Sequence, residues 1–343
     1  MGLLNRSSVE GQDNARNPDL PLNTGVAPRC TDVWPMASLS HPYSWASGIA
    51  LFIFPCVMFA GSTKGAPTAN YHTGTSEVRV TFFTTDETSR SVDTVVKDDF
   101  AVVDDGMVIR DFRSLARSNE TQLDVVALID ASESVAPRFQ TITSDILQVV
   151  SRKSFAVDDN ISVVSFSGLH PVLICTHDCG SAAARQRLLS VKPAGPTPLF
   201  DALAYAAKFM SSRSKPGVRQ VLILFSDGND TISMTSARDA LQAVIASGAL
   251  LYTVDLNDFR DTSTGSAVLQ HMAEATGGRS FSGQEGAANV LQAALADLHN
   301  SYVVTYPLPS RMAGFHSLLI LPKHNLNLRF HCRSGYYYEE RVP

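Results

Sequence analysis

The strongest constraint on the fold is an alternation of short apolar runs with amphipathic stretches between residues 123 and 299. Five runs are typical of strands: LDVVALID, ISVVSFSG, HPVLIC, RQVLILFSD and ALLYTVDL. Five stretches with helical spacing lie among them, from RFQTITSDILQVVSR to AANVLQAALADLHNSY. Alternation of this kind requires crossover connections, so we predict a doubly wound α/β fold, a mostly parallel sheet with helices on both faces. The strands are apolar throughout, as expected where helices cover both faces.

The segments that flank this region have a strand-like texture. EVRVTFFTT and FAVVDDGMVIRDF precede it, and the pair Asp105-Gly106 between two apolar stretches is a hairpin signal. YVVTYPLP, HSLLILP, LNLRFHC and GYYYEE follow it. We therefore predict an N-terminal β segment at 67–122, an α/β domain at 123–300 and a C-terminal β segment at 301–343. We expect the two flanks to pair with each other as a small separate sheet.

The N-terminal region differs in composition from the rest. Residues 1–35 are polar and carry Pro and Gly, so we expect them to be disordered or to precede the true start at Met36. Residues 36–66 resemble a signal peptide, because the apolar run 48–60 is followed by small residues. That run is shorter than the roughly 20 residues of a membrane span. We expect export to the periplasm, the cell surface or the medium; an uncleaved anchor and a buried element of the fold are the alternatives.

Composition limits the partners. Hydrophobic residues make up 44% and charged residues 18% of the chain, which predicts a mostly globular protein. The net charge of −5 predicts no nucleic-acid partner, since such binding requires a basic face. Beyond the N-terminal segment we predict no integral membrane domain. Walker A, Gly-x-Ser-x-Gly and His-Glu-x-x-His motifs are missing from the sequence, so it predicts no enzyme of those classes.

Polar residues cluster where three predicted loops meet one edge of the sheet. Asp130 ends the first strand, with Ser132 and Ser134 at alternate positions after it. Thr197 precedes a helix, and Asp227 ends the strand VLILF. The loops beyond the carboxyl ends of parallel strands carry the ligand groups of doubly wound folds. Two carboxylates and three hydroxyls are hard oxygen donors, so we predict a Mg²⁺ site, with Mn²⁺ or Ca²⁺ as alternatives.

Each of these residues also has a simpler interpretation. Ser132 and Ser134 could cap the following helix, and Thr197 could cap the helix after it. Asp227-Gly228 could be only a turn. For any one of these residues taken by itself, the simple interpretation would be preferred over a metal ligand. Together they require three coincidences at one sheet edge, which favours the metal site.

These residues resemble the metal-ion-dependent adhesion site of von Willebrand factor type A domains. The motif of that family is Asp-x-Ser-x-Ser, a distant Thr and a distant Asp-Gly, and all its positions are present between Leu123 and Tyr302. The resemblance implies that Ser132, Ser134 and Thr197 bind the metal directly. Asp130 and Asp227 would bind it directly or through water.

The flanks resemble a bacterial group, the VWFA-related domain proteins. Its pattern before the domain is a Lys-x-Asp-Phe stretch, an acidic Asp-Gly turn and a Phe. After the domain the pattern ends in Arg-x-Gly-Tyr. The matching residues are Lys97, Asp99, Phe100, Asp105, Gly106, Phe112, Arg333, Gly335 and Tyr336. The segment before Val95 lacks the Asp-x-x-Gly turn of that group.

From the site and the signal-like segment together we predict an exported, non-enzymatic binding module that binds an exposed Asp or Glu of a partner protein through its metal ion. One alternative is an intracellular partner subunit of an AAA+ or chelatase-type machine. Another is a metal-dependent hydrolase. The signal-like segment and the β flanks favour the first interpretation.

Cysteine chemistry leaves alternatives open. The stretch CTHDC places Cys175 and Cys179 around His177. In an oxidising compartment we expect a disulfide between these two cysteines, with Cys332 left free. A zinc site and simple loop thiols are the alternatives, but a closed structural zinc site needs four ligands and only three are local.

Overall fold

The computed structural model describes residues 77–118, 122–151, 160–257 and 264–338. Residues 1–35 and the signal-like segment 36–66 lie outside these ranges. In the ranges that are described, no helix has the length and apolar character needed to cross a membrane.

The strands fall into a central group and two flanking groups. They are β1 (Glu77–Thr85), β2 (Ser91–Val92), β3 (Phe100–Asp104), β4 (Met107–Ile109), β5 (Ser114–Arg117), β6 (Gln122–Asp130), β7 (Asn160–Phe166), β8 (Val172–Thr176), β9 (Val218–Ser226), β10 (Leu250–Asp255), β11 (Ser280–Ser282), β12 (Tyr302–Pro307), β13 (Gly314–Pro322), β14 (Arg329–Cys332) and β15 (Gly335–Tyr338). The α-helices are α1 (Ala136–Ser151), α2 (Ala182–Ser190), α3 (Leu199–Ser211), α4 (Ala237–Ser247), α5 (Thr264–Thr276) and α6 (Ala287–His299).

The central sheet has the strand order β11-β10-β9-β6-β7-β8. All of its pairings are parallel except β7 with β8. The predicted doubly wound, mostly parallel sheet is therefore confirmed. In the parallel register Asp130 is paired with Phe166, and Asp255 with Ser226. The carboxyl ends of β6, β7, β9 and β10 consequently lie at one edge of the sheet.

Helices cover both faces of this sheet. On one face α1, α2 and α6 pack on alternate residues of β6 such as Val125 and Ile129. On the other face α3, α4 and α5 pack on Val126 and Leu128. Because each face of the strand is buried in its own apolar cluster, the strand sequence is apolar at every position rather than at every second one.

Short polar signals set the ends of two of these helices. Ser181 and Ser236 precede α2 and α4, and each accepts a hydrogen bond from a first-turn N–H through its hydroxyl. Gly248 ends α4 with φ of 79°, a left-handed conformation that glycine adopts without a Cβ clash. These caps satisfy backbone groups that have no partner inside a helix.

The flanking strands pair across the chain, as predicted, but they form two sheets instead of one. The first has the order β14-β1-β12-β5, with β2 on β1; the second has the order β15-β13-β3-β4. Both contribute to one apolar cluster that includes Phe82, Phe100, Tyr306 and Ile320. Because each sheet is apolar on one face, the two faces bury each other, which a single sheet would not achieve. The Asp105-Gly106 hairpin between β3 and β4 is confirmed.

Candidate metal centre

The loops that carry the predicted metal ligands are joined by backbone hydrogen bonds. The N–H of Ala194, in the loop before α3, donates to the carbonyl of Ala131 after β6 at 2.9 Å. Thr197 and Thr231 are linked twice: the N–H of Thr231 donates to the carbonyl of Thr197 at 2.9 Å, and the N–H of Thr197 donates to Oγ1 of Thr231 at 2.8 Å. The loops after β6, before α3 and after β9 are therefore held together at one edge.

Asp130 is the last residue of β6 at this edge and is fully buried. Its Oδ1 accepts the N–H of Ser132 at 2.9 Å, and its Oδ2 accepts the hydroxyl of Ser226 at 2.7 Å. Burial raises the pKa of Asp130 to about 6; hydrogen bonds from Ser132 and Ser226 oppose this, and the nearby Asp227 carboxylate adds to it. A buried carboxylate beside a second carboxylate favours a cation, because a cation would offset the cost of burying the charge.

The hydroxyl groups of the motif belong to Ser132, Ser134 and Thr197. Ser132 is buried, Ser134 is exposed, and their Oγ atoms are 3.1 Å apart. Thr197 is buried with 3% exposure. The N-cap residue of α3 is Pro198, and this cap has no side-chain hydrogen bond, so Thr197 does not act as the cap of that helix.

The loop that carries Asp227 packs closely against the backbone at the start of α5. Its Oδ1 accepts the N–H of Asn229 at 3.0 Å, and its carbonyl accepts Nδ2 of Asn257 at 2.7 Å. A Cβ on Gly265, in the first turn of α5, would overlap the carbonyl oxygen of Asp227, and a Cβ on Gly228 would overlap the carbonyl of Gly265. Glycine at both positions lets the Asp227 loop pack against the start of α5.

Sequence reasoning missed three residues that position the site: Ser226, Asn257 and Gly265. Ser226 directly precedes Asp227 in LFSDGND, so its position at the end of β9 could have indicated that it belongs to the site. Asn257 donates through Nδ2 to Oδ1 of Asp255 at 2.8 Å, which fixes its side chain. Nothing in the local sequence marks Gly265, because its partner lies on another loop.

The donor set fits a hard divalent cation. The structure brings the loops of Asp130, Ser132, Ser134, Thr197 and Asp227 to one edge, and every side-chain donor among them is oxygen. Carboxylate and hydroxyl oxygens suit Mg²⁺, Mn²⁺ or Ca²⁺ better than zinc. Both oxygens of Asp130 already accept hydrogen bonds, so this carboxylate suits contact with an ion through water.

The cysteines of CTHDC lie away from this edge, on β8 and the turn after it. Cys175 and Cys179 are joined by a disulfide, so their sulfur atoms are not available to zinc in this structure. Cys332, in β14, is free.

The fold and the loop geometry define a doubly wound α/β domain with an oxygen-lined edge. The family model of the von Willebrand factor type A domain matches residues 124–294, and this part of the chain belongs to that family. A comparison with curated protein sequences found no significant match.

Solved structures of bacterial proteins are similar to about half of the chain. An aerotolerance-related membrane protein from Bacteroides fragilis is 21% identical, with a TM-score of 0.40, over 52% of this chain and 98% of that one. The conserved hypothetical protein BatB from Bacteroides thetaiotaomicron is 19% identical, with a TM-score of 0.39, over 51% and 95%. The vWF domain of the type V pili tip protein Mfa5 from Porphyromonas gingivalis is 13% identical, with a TM-score of 0.40, over 51% and 94%. Likenesses this distant say nothing about what this chain binds.

Proposed function

We propose that this chain is an exported protein-binding module that uses a divalent cation to bind an exposed Asp or Glu of a partner protein. Mg²⁺ is the first candidate ion, with Mn²⁺ and Ca²⁺ next. The observation that carries the proposal is the convergence of the Asp130, Thr197 and Asp227 loops around a buried carboxylate. The type A family assignment of residues 124–294 supports an interaction module.

The chemistry of the donors explains why a partner carboxylate would complete the site. Mg²⁺ takes six ligands in an octahedron. Three of the proposed donors, Ser132, Ser134 and Thr197, are neutral hydroxyls, which fill part of this shell and leave the ion electrophilic. An external carboxylate then completes the shell. The exposure of Ser134 places one donor at the surface, where a partner can approach.

Export is part of the proposal and has separate support. The apolar run 48–60, with small residues after it, is typical of a secretory signal. The Cys175–Cys179 disulfide fits an oxidising compartment. Fractionation, with mass spectrometry of the protein's N-terminus, tests it. We expect protein outside the cytoplasm that begins near residues 62 to 70, or an uncleaved membrane-bound form. An intact cytoplasmic chain would favour the AAA+ partner alternative.

Cation binding is tested by thermal denaturation of the chain with Mg²⁺, Mn²⁺, Ca²⁺ or a chelator. An ion that binds only the folded state stabilises it by about 2.7 kcal/mol at a hundredfold excess over Kd. We expect Asp130→Ala and Thr197→Ala to lose the response. Thr143→Ala is the matched control, because Thr143 is a buried threonine on α1 whose Oγ1 has no hydrogen-bond partner in the part of the chain that the structure describes. Wild-type protein that responds to none of the three ions would contradict the proposal.

A second experiment separates a binder from an enzyme. The chain is immobilised and exposed to cell-surface extract with Mg²⁺ or with chelator, in wild-type and Thr197→Ala forms. We expect a retained protein that requires both the ion and Thr197, and that is lost when its key Asp or Glu is changed to the amide. The same preparations are assayed with p-nitrophenyl phosphate. Metal-dependent hydrolysis that disappears in a folded Asp227→Ala variant would establish the hydrolase instead.

A further inference from the structure

Three titratable side chains meet in the β flanks, in sheets separate from the one that carries Asp130. Asp104 ends β3, Asp105 follows it in the hairpin turn, and His316 lies on the adjacent strand β13. One ligand atom from each lies within 4.8 Å of the others. Nδ1 of His316 is 3.0 Å from Oδ2 of Asp105 and 3.8 Å from Oδ1 of Asp104. We propose that these three residues bind a divalent transition-metal ion.

Two of the three ligand atoms are buried, and no hydrogen bond to either is found among the described residues. Asp104 is 0% exposed and His316 is 1% exposed. Within the described ranges neither Oδ1 of Asp104 nor Nδ1 of His316 has a hydrogen-bond partner, and these two atoms are 3.8 Å apart. Buried polar atoms are nearly always paired, and an unpaired buried carboxylate is costly. An ion between them would satisfy both.

The tautomer of His316 leaves Nδ1 for either a metal ion or a second proton. Nε2 lies 2.7 Å from the carbonyl of Met312, and a carbonyl only accepts, so Nε2 carries a proton. A second proton on Nδ1 should form a hydrogen bond to Asp105, but the contact at 3.0 Å does not have hydrogen-bond geometry. Donors bound to one ion at about 2.1 Å lie about 3.0 Å apart in an octahedron and about 3.4 Å apart in a tetrahedron. The 3.0 Å separation of His316 and Asp105 equals the octahedral value, whereas Oδ1 of Asp104, 3.8 Å from Nδ1, would move closer by roughly 0.4 to 0.8 Å when the ion binds.

The atoms next to the ligands are already fixed. Oδ2 of Asp104 accepts the hydroxyls of Tyr306 at 2.8 Å and Tyr336 at 3.1 Å, which leaves Oδ1 for the ion. Oδ1 of Asp105 accepts the N–H of Ser317 at 2.9 Å, which leaves Oδ2. The ring of His316 stacks on Tyr336 with centroids 5.0 Å apart. Metal ligands in proteins are commonly held in this way by hydrogen bonds to the atoms that do not bind the ion.

The donor chemistry separates this site from the Asp130 centre. An imidazole with two carboxylates suits Zn²⁺, Mn²⁺ or Fe²⁺, whereas the Asp130 centre has only oxygen donors. The Asp105 side chain is 37% exposed, which gives an ion access to the two buried ligands. The ion would join the N-terminal flank to the C-terminal flank, since Asp105 and His316 are 211 positions apart in the chain (316 − 105). This role is structural and does not depend on the proposed binding function.

The test uses Zn²⁺ as the probe on the chelator-treated full chain, by isothermal titration calorimetry and by anomalous diffraction at the zinc edge. Asp105→Asn removes one ligand and keeps the turn, because asparagine tolerates the φ of 48° and retains an oxygen for Ser317. Asp98→Asn is the matched control, because Asp98 is an exposed aspartate outside both centres. We expect at least tenfold weaker Zn²⁺ binding in Asp105→Asn, unchanged binding in Asp98→Asn, and an anomalous peak among Asp104, Asp105 and His316.

A measurement on unmutated protein keeps the proposal testable if Asp105→Asn does not fold. The ¹⁵N chemical shifts of His316 distinguish a metal-bound Nδ1 from a protonated one. A shift of the Nδ1 resonance on addition of Zn²⁺ supports the site. An imidazolium that Zn²⁺ does not alter, or equal Zn²⁺ binding by wild type and folded Asp105→Asn, would overturn it and make the cluster a buried ion pair.

Discussion

At the scale of single residues, Ser226 shows how the candidate centre depends on groups outside the motif. Its hydroxyl donates to Oδ2 of Asp130 and accepts the N–H of Gly228 at 3.1 Å. One side chain therefore orients the carboxylate at the end of β6 and the loop after β9. The type A motif does not include this position, so the resemblance could not indicate it.

We predict that Ser226→Ala weakens Mg²⁺ binding by about 10- to 100-fold, the usual effect of removing a group that orients a metal ligand. Calorimetric titration with Mg²⁺ measures it. Ser190→Ala is the control, because Ser190 is exposed on α2 and its hydroxyl bonds only within its own helix, to the carbonyl of Arg187. Equal affinities in the two variants would show that Ser226 does not orient Asp130.

His331 in β14 should make stability depend on pH. Burial, and after it the charges of Arg279 and Arg329, together lower its pKa from 6.5 to about 4. Its ring stacks on Phe83 at 4.6 Å, and its Nε2 lies 2.9 Å from Oγ1 of Thr85.

A depressed histidine pKa means that the unfolded chain binds a proton at a pH where the folded chain does not. The contribution of His331 is therefore present above pH 6.5 and is lost as the pH falls towards 4. We predict that wild type loses about 2 kcal/mol more stability than His331→Gln between pH 7 and pH 5. Urea unfolding at the two pH values measures this. Parallel losses in both proteins would contradict it, as would an NMR titration of His331 near pH 6.5.

At the scale of elements, hydrophobic periodicity in the sequence predicted most of the strands and helices, because these depend on residues close together in the chain. The apolar runs of β6, β7, β9 and β10 and five of the six described α-helices follow from periodicity, so the sheet class was predictable, whereas α2 and the short strand β11 were missed. The edge carrying Asp130 and Asp227 followed from the topology of parallel strands. The tight contact between the Asp227 loop and the start of α5 was not predictable, because it joins residues that are distant in the chain.

That contact leads to a prediction about α5. Alanine favours a helix over glycine by about 1 kcal/mol, so Gly265→Ala in the first turn of α5 would be neutral or stabilising on propensity alone. Its Cβ would overlap the carbonyl of Asp227, so we predict a loss of about 1 to 3 kcal/mol and weaker Mg²⁺ binding. Gly180→Ala is the control, since its Cβ would make only an ordinary contact, 3.6 Å from the carbonyl of Val150. Denaturant unfolding and calorimetry check both effects, and a Gly265→Ala variant as stable as Gly180→Ala would refute the prediction.

At the scale of the whole molecule, the long-range arrangement of the flanks was the least predictable feature. Hairpin and strand signals indicated that the flanks contain strands, but the order within the two sheets depends on pairings such as Phe82 with Cys332, 250 positions apart (332 − 82). No local pattern specifies such a pairing. The Asp104, Asp105 and His316 cluster was hidden for the same reason: DDG was visible as a turn, but the histidine that faces it lies in the other flank.

Arg279 ties the flanks to the central domain through a buried ion pair. Its guanidinium donates to both carboxylate oxygens of Asp297 on α6, at 2.8 and 3.0 Å, and to the carbonyl of Ser89 at 2.6 Å in the turn between β1 and β2. The Asp297 side chain is 0% exposed. Burial raises the pKa of Asp297 to about 7, and the charge and hydrogen bonds of Arg279 oppose that rise.

We predict that Arg279→Ala costs about 3 to 5 kcal/mol, because it leaves a buried carboxyl without its partner and frees the turn at Ser89. Arg187→Ala is the matched control. Arg187 and its partner Asp178 are each 49% exposed, so the loss of this ion pair should cost at most about 1 kcal/mol of folding stability. Urea unfolding at pH 8 measures both. Adding Asp297→Asn to Arg279→Ala should recover part of the loss, since the amide carries no charge to bury. Equal costs for the two arginines would mean that the link between flank and domain rests on apolar packing and not on this ion pair.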